Sequence, residues 1–359
     1  MSGARHTTWP EPALPEETPL NRPFTRGDDE ERLADAVEAS DAPDAVFALS
    51  RHGRRIVHCG GRRFTTTPRE NLRYEIGSAS KTFTGLLLAD LIQRGTLTGG
   101  ESAAALLAPG RPARTAEITL AHLVTHTSGL PALPVDFFPR ALPAWHTQPY
   151  ARYPAERVVA AFLRARPRHR PGSRWHYSNF GVAVLGHALA AAAGTSWEDL
   201  VTAHVLHPLG LRDTALWAGS PATDAVGHGK DGRTPTRGFD AGGFQAAGAV
   251  RATPADLLTF LEAHLDPGGA PLPGALRAVR VPVLRRGLGR RHTHTLTWFR
   301  HPTDGGPMYF HSGATLGQQA FLGFRPDTGT ALAAVCTRRF RASDPFVATA
   351  YALLFDDGT

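Results

Sequence analysis

The sequence has almost no lysine: of its 39 basic residues only Lys81 and Lys230 are lysine, and the other 37 are arginine. Cysteine is as scarce, with Cys59 and Cys336 alone, each in an apolar strand-like run. Two such thiols exclude a disulfide-stapled scaffold and a cysteine-rich zinc module, and they read as a reduced pair of core residues. No apolar run is long enough to span a membrane. The first thirty residues, MSGARHTTWPEPALPEETPLNRPFTRGDDE, hold no apolar core of the kind a secretory signal needs. Segment 1–28 instead reads as an extended or disordered arm. These absences favour a cytoplasmic protein. Internal repeats and low-complexity tracts are missing too. The arginines are scattered rather than blocked, so the formal charge of +7 reflects composition rather than nucleic-acid binding.

What is present suits a globular enzyme. The 359 residues are 42% hydrophobic and 20% charged, enough for a large core in one or two closely packed domains. DDEERLADAVEA predicts a helix from about Asp29, with acidic residues in its first turn. AVFALSR and RRIVHCGG, joined by HG, predict a hairpin, and RYEIG predicts a strand leading into Ser78. KTFTGLLLADLIQRG is apolar on every side and predicts a buried central helix. Helical patterns then dominate: TLAHLVTH, AERVVAAFLRA, NFGVAVLGHALAAAAG, SWEDLVTAHVLHPLG and TPADLLTFLEAHL. The last hundred residues return to strands in MYFHSG, QQAFLGFRP and TALAAVCT, before a helix in DPFVATAYALLF. The expected fold class is α+β: residues 29–96 and 266–359 form an antiparallel sheet flanked by helices, and 97–265 form an inserted, mainly helical domain.

Three short clusters carry chemistry. In IGSASKTFT, Ser78 and Lys81 stand three apart at a helix start, so the amine reaches the hydroxyl. Burial and the positive end of the helix dipole lower the lysine pKa, and the neutral amine can take the serine proton. Unpaired amides at the helix start can hold an oxyanion. The plainer alternative is a serine cap with a surface lysine, which the apolar sequence that follows argues against. In Tyr177-Ser178-Asn179, a phenol and an amide two apart in extended chain face one cavity. The alternative there is Asn179 as a helix cap with Tyr177 in the core. In His311-Ser312-Gly313, at the end of a strand, the glycine would let a substrate backbone lie close.

SASK, YSN and HSG, in this order and spacing, resemble the serine β-lactamase and penicillin-binding-protein superfamily. ITLAHLVTHTSGLP, HPLGLRDTAL, AAGAVRATPADLLTFL and HSGATLGQQAFLGFRPDTGTALAAVC extend the resemblance to the class C-like branch over about residues 30–355, a branch that includes esterases, D-amino-acid peptidases and transacylases. The resemblance implies that Ser78 is acylated, Lys81 activates it and Tyr177 moves protons to and from the leaving group and acceptor. It further implies that Asn179 orients Lys81 or a substrate amide, and that the amides of Ser78 and Ala314 form the oxyanion hole. His311, Ser312 and Gly313 would complete substrate binding. Arginine cannot lose its proton, which explains a lysine at position 81.

This chain departs from a drug-hydrolysing member where HSG replaces lysine-threonine-glycine. A neutral histidine grips a carboxylate poorly. The expected function is therefore acyl transfer from a small-molecule ester, thioester or amide to water, an amine or an alcohol, in small-molecule metabolism. β-Lactamase or D-amino-acid peptidase activity is the alternative, and a ligand-binding module without catalysis the second. No cofactor, metal, nucleic acid or membrane is implied. His122 and His126 form an HxxxH pair on a predicted helix, but no glutamate follows the first histidine as zinc proteases require. His292 to His294 line the site rim or a solvated strand, and Lys230 is a loop tip. Specificity is expected in loops 132–153 and 218–245, with Phe137, Phe138, Trp145 and Tyr150 available either to cover the acyl-enzyme or to pack as surface.

Overall fold

The computed structural model describes residues 28–62, 64–286 and 292–356. The arm expected at 1–28 therefore lies outside the described residues except for Asp28. That aspartate caps helix Asp29–Ala39, accepting from the amides of Glu30 and Glu31. Strand β1 (Ala45–Arg51) turns into β2 (Arg54–Gly60) through His52 and Gly53, with φ of 50° and 82°. Both central residues are left-handed, the turn that matches strand twist in a two-residue hairpin.

RYEIG supplies only the two-residue strand β3 (Tyr74–Glu75). It pairs outside the main sheet with β4 (Arg251–Ala252). The C-terminal third adds β5 (Leu284–Arg286), β6 (His292–His294), β7 (Phe299–Pro302), β8 (Pro307–Ala314), β9 (Gln319–Arg325) and β10 (Thr330–Cys336). The main sheet runs β2-β1-β10-β9-β8-β7-β6-β5, and every pair in it is antiparallel. Both ends of the chain thus build one sheet.

Alternation sorts the central strands into two faces. Val46, Ala48, Leu322, Phe324, Ala333 and Val335 join the larger core. Phe47, Leu49, Phe310, Phe321, Leu332 and Cys336 join a smaller one with residues of helices Asp29–Ala39 and Phe346–Phe355. Because helices cover both faces, β9 and β10 are buried at every position. Cys336 pairs with Ala45 and Cys59 with Val46, so β1 lies between the thiols. Two interstrand spacings, about 10 Å, exclude a disulfide. Both thiols are free, Cys336 in the core and Cys59 half-buried.

Helix Ser80–Gln93 is buried from Ser80 through Leu91, which is why it carries no polar stripe. Phe83 stacks at 4.0 Å on Phe260 of helix Pro254–Leu265. On that helix His264 is fully buried against Phe260, Trp298 and Phe324, with Nδ1 2.7 Å from the Phe260 carbonyl. Burial holds its pKa down at about 4, and burial with the nearby Lys81 holds His311 at about 3.

These two histidines predict acid lability. Below the unfolded value near 6.5 the unfolded chain binds protons that the folded chain refuses. Stability is therefore level above about pH 6.5 and falls as pH drops toward 4. At about 1.4 kcal/mol per unit per group, the loss reaches on the order of 5 kcal/mol by pH 4.5. Urea midpoints at pH 7 and pH 5 measure it, and His264→Gln should flatten the slope. Equal slopes in wild type and variant would refute this account.

Candidate active site

The serine stands where β3 turns into the central helix. A single 3-10 turn, Gly77–Ala79, precedes helix Ser80–Gln93. Ser80 Oγ accepts from the Val250 amide, and the Ile76 amide donates to the Val250 carbonyl, so the turn is tied to the segment before β4. The turn leaves Ser78 half-buried at the bottom of a cleft.

One helical turn on, Lys81 is 1% exposed. Its Nζ stands 3.0 Å from Ser78 Oγ and donates to the Ala247 carbonyl at 2.9 Å. Thr84 donates to the Ala246 carbonyl at 2.7 Å, so the two side chains cap the short helix Gln245–Gly248. Burial drives the Lys81 pKa well below the ordinary lysine value. Among the described residues no carboxylate pairs with it.

Tyr177 lies beside this amine, with Nζ 5.1 Å from its ring centre. The ring packs on His126 at 4.5 Å. Ser178, rather than Asn179, is the cap of helix Asn179–Ala193: its hydroxyl accepts from the Gly181 amide at 2.8 Å. That hydroxyl also donates to the Pro131 carbonyl, and the Ser178 amide donates to His126 Nδ1 at 3.2 Å. The amide of His176 donates to the His126 carbonyl. HTSGLP is thus the segment that grips Tyr177-Ser178-Asn179 from behind. Asn179 lines the cleft together with Tyr150, while Lys81 is oriented by a backbone carbonyl.

His126 overturns the expected HxxxH helix. The helix stops at Val124, His122 turns back to accept from the Thr119 amide, and His126 takes a φ of 57°. With Nδ1 accepting, the neutral ring carries its proton on Nε2. Burial, then Lys81, holds its pKa well below the usual histidine value. Among the described residues no group of three or more histidine, cysteine or acidic side chains could hold a metal. His294 is buried, 5.1 Å from Trp175 and 4.7 Å from Phe299, so it is neither solvated nor on a rim. Lys230 is exposed in a turn.

β8 forms the opposite wall. β7 pairs only with Pro307–Phe310, whereas β9 pairs with Tyr309–Ala314. His311–Ala314 therefore keep one edge unpaired within the sheet, and it runs up to the serine turn. Gly313 serves a different purpose from the one expected. A methyl group there would fall 1.9 Å from the Ile76 carbonyl oxygen and 2.8 Å from the Ser78 nitrogen, so the glycine admits the protein's own backbone rather than a substrate's. Gly77, at φ 48°, meets Ala314 in the same way. The amides of Ser78 and Ala314 are brought to one place by this contact.

The cleft is lined by Ser78, Asn179, Ala314 and Thr315, and walled by Tyr150, Phe239 and Phe244. It encloses about 380 Å³, its open mouth included. His311, Ser312 and Gly313 are buried and do not line it, and neither do the buried Lys81 and Tyr177. Of the aromatic loop, Tyr150 reaches the cleft and Phe137 packs behind it at 5.0 Å. Phe138 and Trp145 pack on each other at 5.7 Å and do not line the cleft, as a surface loop would have them. Phe239 and Phe244 had no motif to announce them, although they fall in the 218–245 loop.

Residues 30–356 match the family described as Beta-lactamase. The chain is 29% identical over 232 residues to a β-lactamase of Pseudomonas fluorescens, covering 61% of this chain and 60% of that protein. It is 26% identical over 259 residues to the D-alanyl-D-alanine-carboxypeptidase/endopeptidase AmpH of Escherichia coli K12, covering 69% and 64%. It thus spans less than two thirds of the length of either relative. Its fold is similar to that of a class C β-lactamase from Rhodobacter sphaeroides, with a TM-score of 0.75 at 22% identity, covering 90% of this chain and 97% of that one. A β-lactamase/D-alanine carboxypeptidase from Pseudomonas syringae gives 0.76 at 20%, covering 90% and 96%. Over residues 30–356, which hold the serine turn and the strand edge beside it, the chain belongs to the beta-lactamase family.

Proposed function

We propose that the protein is a serine acyl-enzyme catalyst that takes an acyl group from an uncharged small-molecule ester, thioester or amide and passes it to water, an amine or an alcohol. The observation that carries this reading is Lys81 Nζ, buried, without a counter-ion among the described residues, 3.0 Å from Ser78 Oγ. A neutral amine there accepts the serine proton as Oγ bonds to the carbonyl carbon. The Ser78 and Ala314 amides stabilise the resulting oxyanion. When the bond to the leaving group breaks, Tyr177 supplies the proton that group needs. Water or an acceptor then reverses the sequence.

The preference for an uncharged donor rests on the lining of the cleft, which among the described residues contains no cationic side chain. His311, where drug-hydrolysing relatives have lysine, is kept neutral by burial, with a pKa of about 3. The names of the relatives support a second reading, β-lactam or D-alanyl peptide hydrolysis. Initial rates separate the two. Short p-nitrophenyl esters should be cleaved at least about 10²-fold more efficiently than a cephalosporin, and a cephalosporin kcat/KM above about 10⁵ M⁻¹s⁻¹ would reverse the order. Adding millimolar primary amine to the ester assay shows whether the product is acid or amide. A transacylase yields mostly amide.

A further inference from the structure

Three residues before the nucleophile, the 5% exposed Glu75 collects donors from three separate segments. Its Oε1 accepts from the Phe239 amide at 2.6 Å and from Arg251 Nη2 at 3.0 Å. Its Oε2 accepts from the hydroxyl of Thr315, the residue after Ala314. Its own amide donates to Gln318 Oε1 at 3.0 Å. Arg251 is occupied further: its Nη2 also donates to the Phe239 carbonyl, and its Nε faces Asp224. Thr315 Oγ also accepts from the Gln318 amide at 3.1 Å and the Gly317 amide at 3.4 Å, which uses both of its lone pairs. Its proton therefore belongs to Glu75.

We propose that Glu75 is a positioning residue that holds the two oxyanion-hole amides and the Phe239 wall in register with one another. The claim rests on the acyl-enzyme reading above. Backbone contact between Gly77 and Ala314 brings the two segments together, but contact alone leaves them free to slide. A buried carboxylate that ends one segment's approach on Thr315 and another's on Phe239 fixes both relative to Ser78. The chemistry requires a carboxylate, because every group facing it is a donor. Glutamine can keep Phe239 and Arg251 satisfied only by turning its NH₂ toward Thr315. The threonine hydroxyl, with both lone pairs used, cannot accept it. Glu75→Gln thus breaks the Thr315 link selectively, and Thr315→Val breaks the same link from the other side with almost no change of shape.

Phenylboronic acid is the probe, because boron bonded to Ser78 Oγ becomes a tetrahedral anion that needs the oxyanion hole, whereas the KM of an unactivated ester, whose acylation is slow and rate-limiting, reports the ground state. In the full-length protein, Glu75→Gln and Thr315→Val should each raise the boronate Kd about 10-fold or more while ester KM stays within about 2-fold. The double variant should bind no more weakly than the worse single, since both remove one link. An unchanged boronate Kd, an equal rise in Kd and KM, or multiplying single effects would overturn the proposal. Thr315→Val decides the matter alone if Glu75→Gln fails to fold. Wild-type protein that binds no boronate would instead overturn the acyl-enzyme reading, and this proposal with it.

Discussion

Lys81→Arg should lower kcat/KM for an activated ester by about 10³-fold or more, close to the loss from Ser78→Ala, because residues that act as one unit do not add. The substitution keeps the positive charge and removes the ability to lose it. Lys81 sits in a pocket that disfavours its cation: it is 1% exposed, burial alone lowers its pKa, and its partners are a hydroxyl and the Ala247 carbonyl. A guanidinium in the same place would be a buried charge without a carboxylate among the described residues. Melting temperature and labelling of Ser78 by a fluorophosphonate separate lost chemistry from lost fold. An arginine variant that folds and turns over at near wild-type rate would show that the lysine serves only as a cation. In the wild type, the need for the neutral amine also predicts activity that falls on the acid side of the Lys81 titration, displaced below the usual lysine range.

Lys81 was legible because a chain with 37 arginines kept a lysine at that offset from a serine. The hairpin of β1 and β2, the apolar central helix and the C-terminal strands were legible for the same local reason: turn residues and hydrophobic pattern are written in consecutive positions. What escaped the sequence depends on chain segments far apart. β3 is two residues long and exists because β4 pairs with it from position 251. Phe239 and Phe244 become walls only when their loop folds over a serine more than 150 positions earlier. His126 looked like half of a helical pair, and its left-handed backbone, which ends the local pattern, turns its ring against Tyr177. The cap at Ser178 rather than Asn179 moved a boundary by one residue, yet it frees the Asn179 side chain to face the cleft. Glu75 carried no motif, since its three donors come from residues 239, 251 and 315.

Gly313→Ala tests the backbone contact itself, and should cost on the order of 10²-fold or more in kcat/KM, since a misplacement near 1 Å at a reacting centre has that effect. The added methyl would fall 1.9 Å from the Ile76 carbonyl oxygen, where ordinary contact begins near 3.4 Å, and 2.8 Å from the nitrogens of Ser78 and Ala79. All three neighbours are backbone, so no side chain can swing aside. Either β8 withdraws, taking Ala314 with it, or the serine turn is pushed away. In both cases the amides of Ser78 and Ala314, which the proposed mechanism uses as the oxyanion hole, part. The sheet need not come apart, because β8 remains paired to β9 along Tyr309–Ala314 and to β7 along Pro307–Phe310. The loss of activity should therefore exceed what the change in melting temperature explains, and boronate affinity should fall with it. Gly100→Ala is the control: the nearest atom to its new methyl, apart from the residues beside it, is the Thr98 hydroxyl at 3.5 Å, and both rate and stability should stay near wild type. If Gly313→Ala keeps full turnover, β8 and the serine turn can separate without consequence. The oxyanion hole would then have to be sought in amides other than those of Ser78 and Ala314.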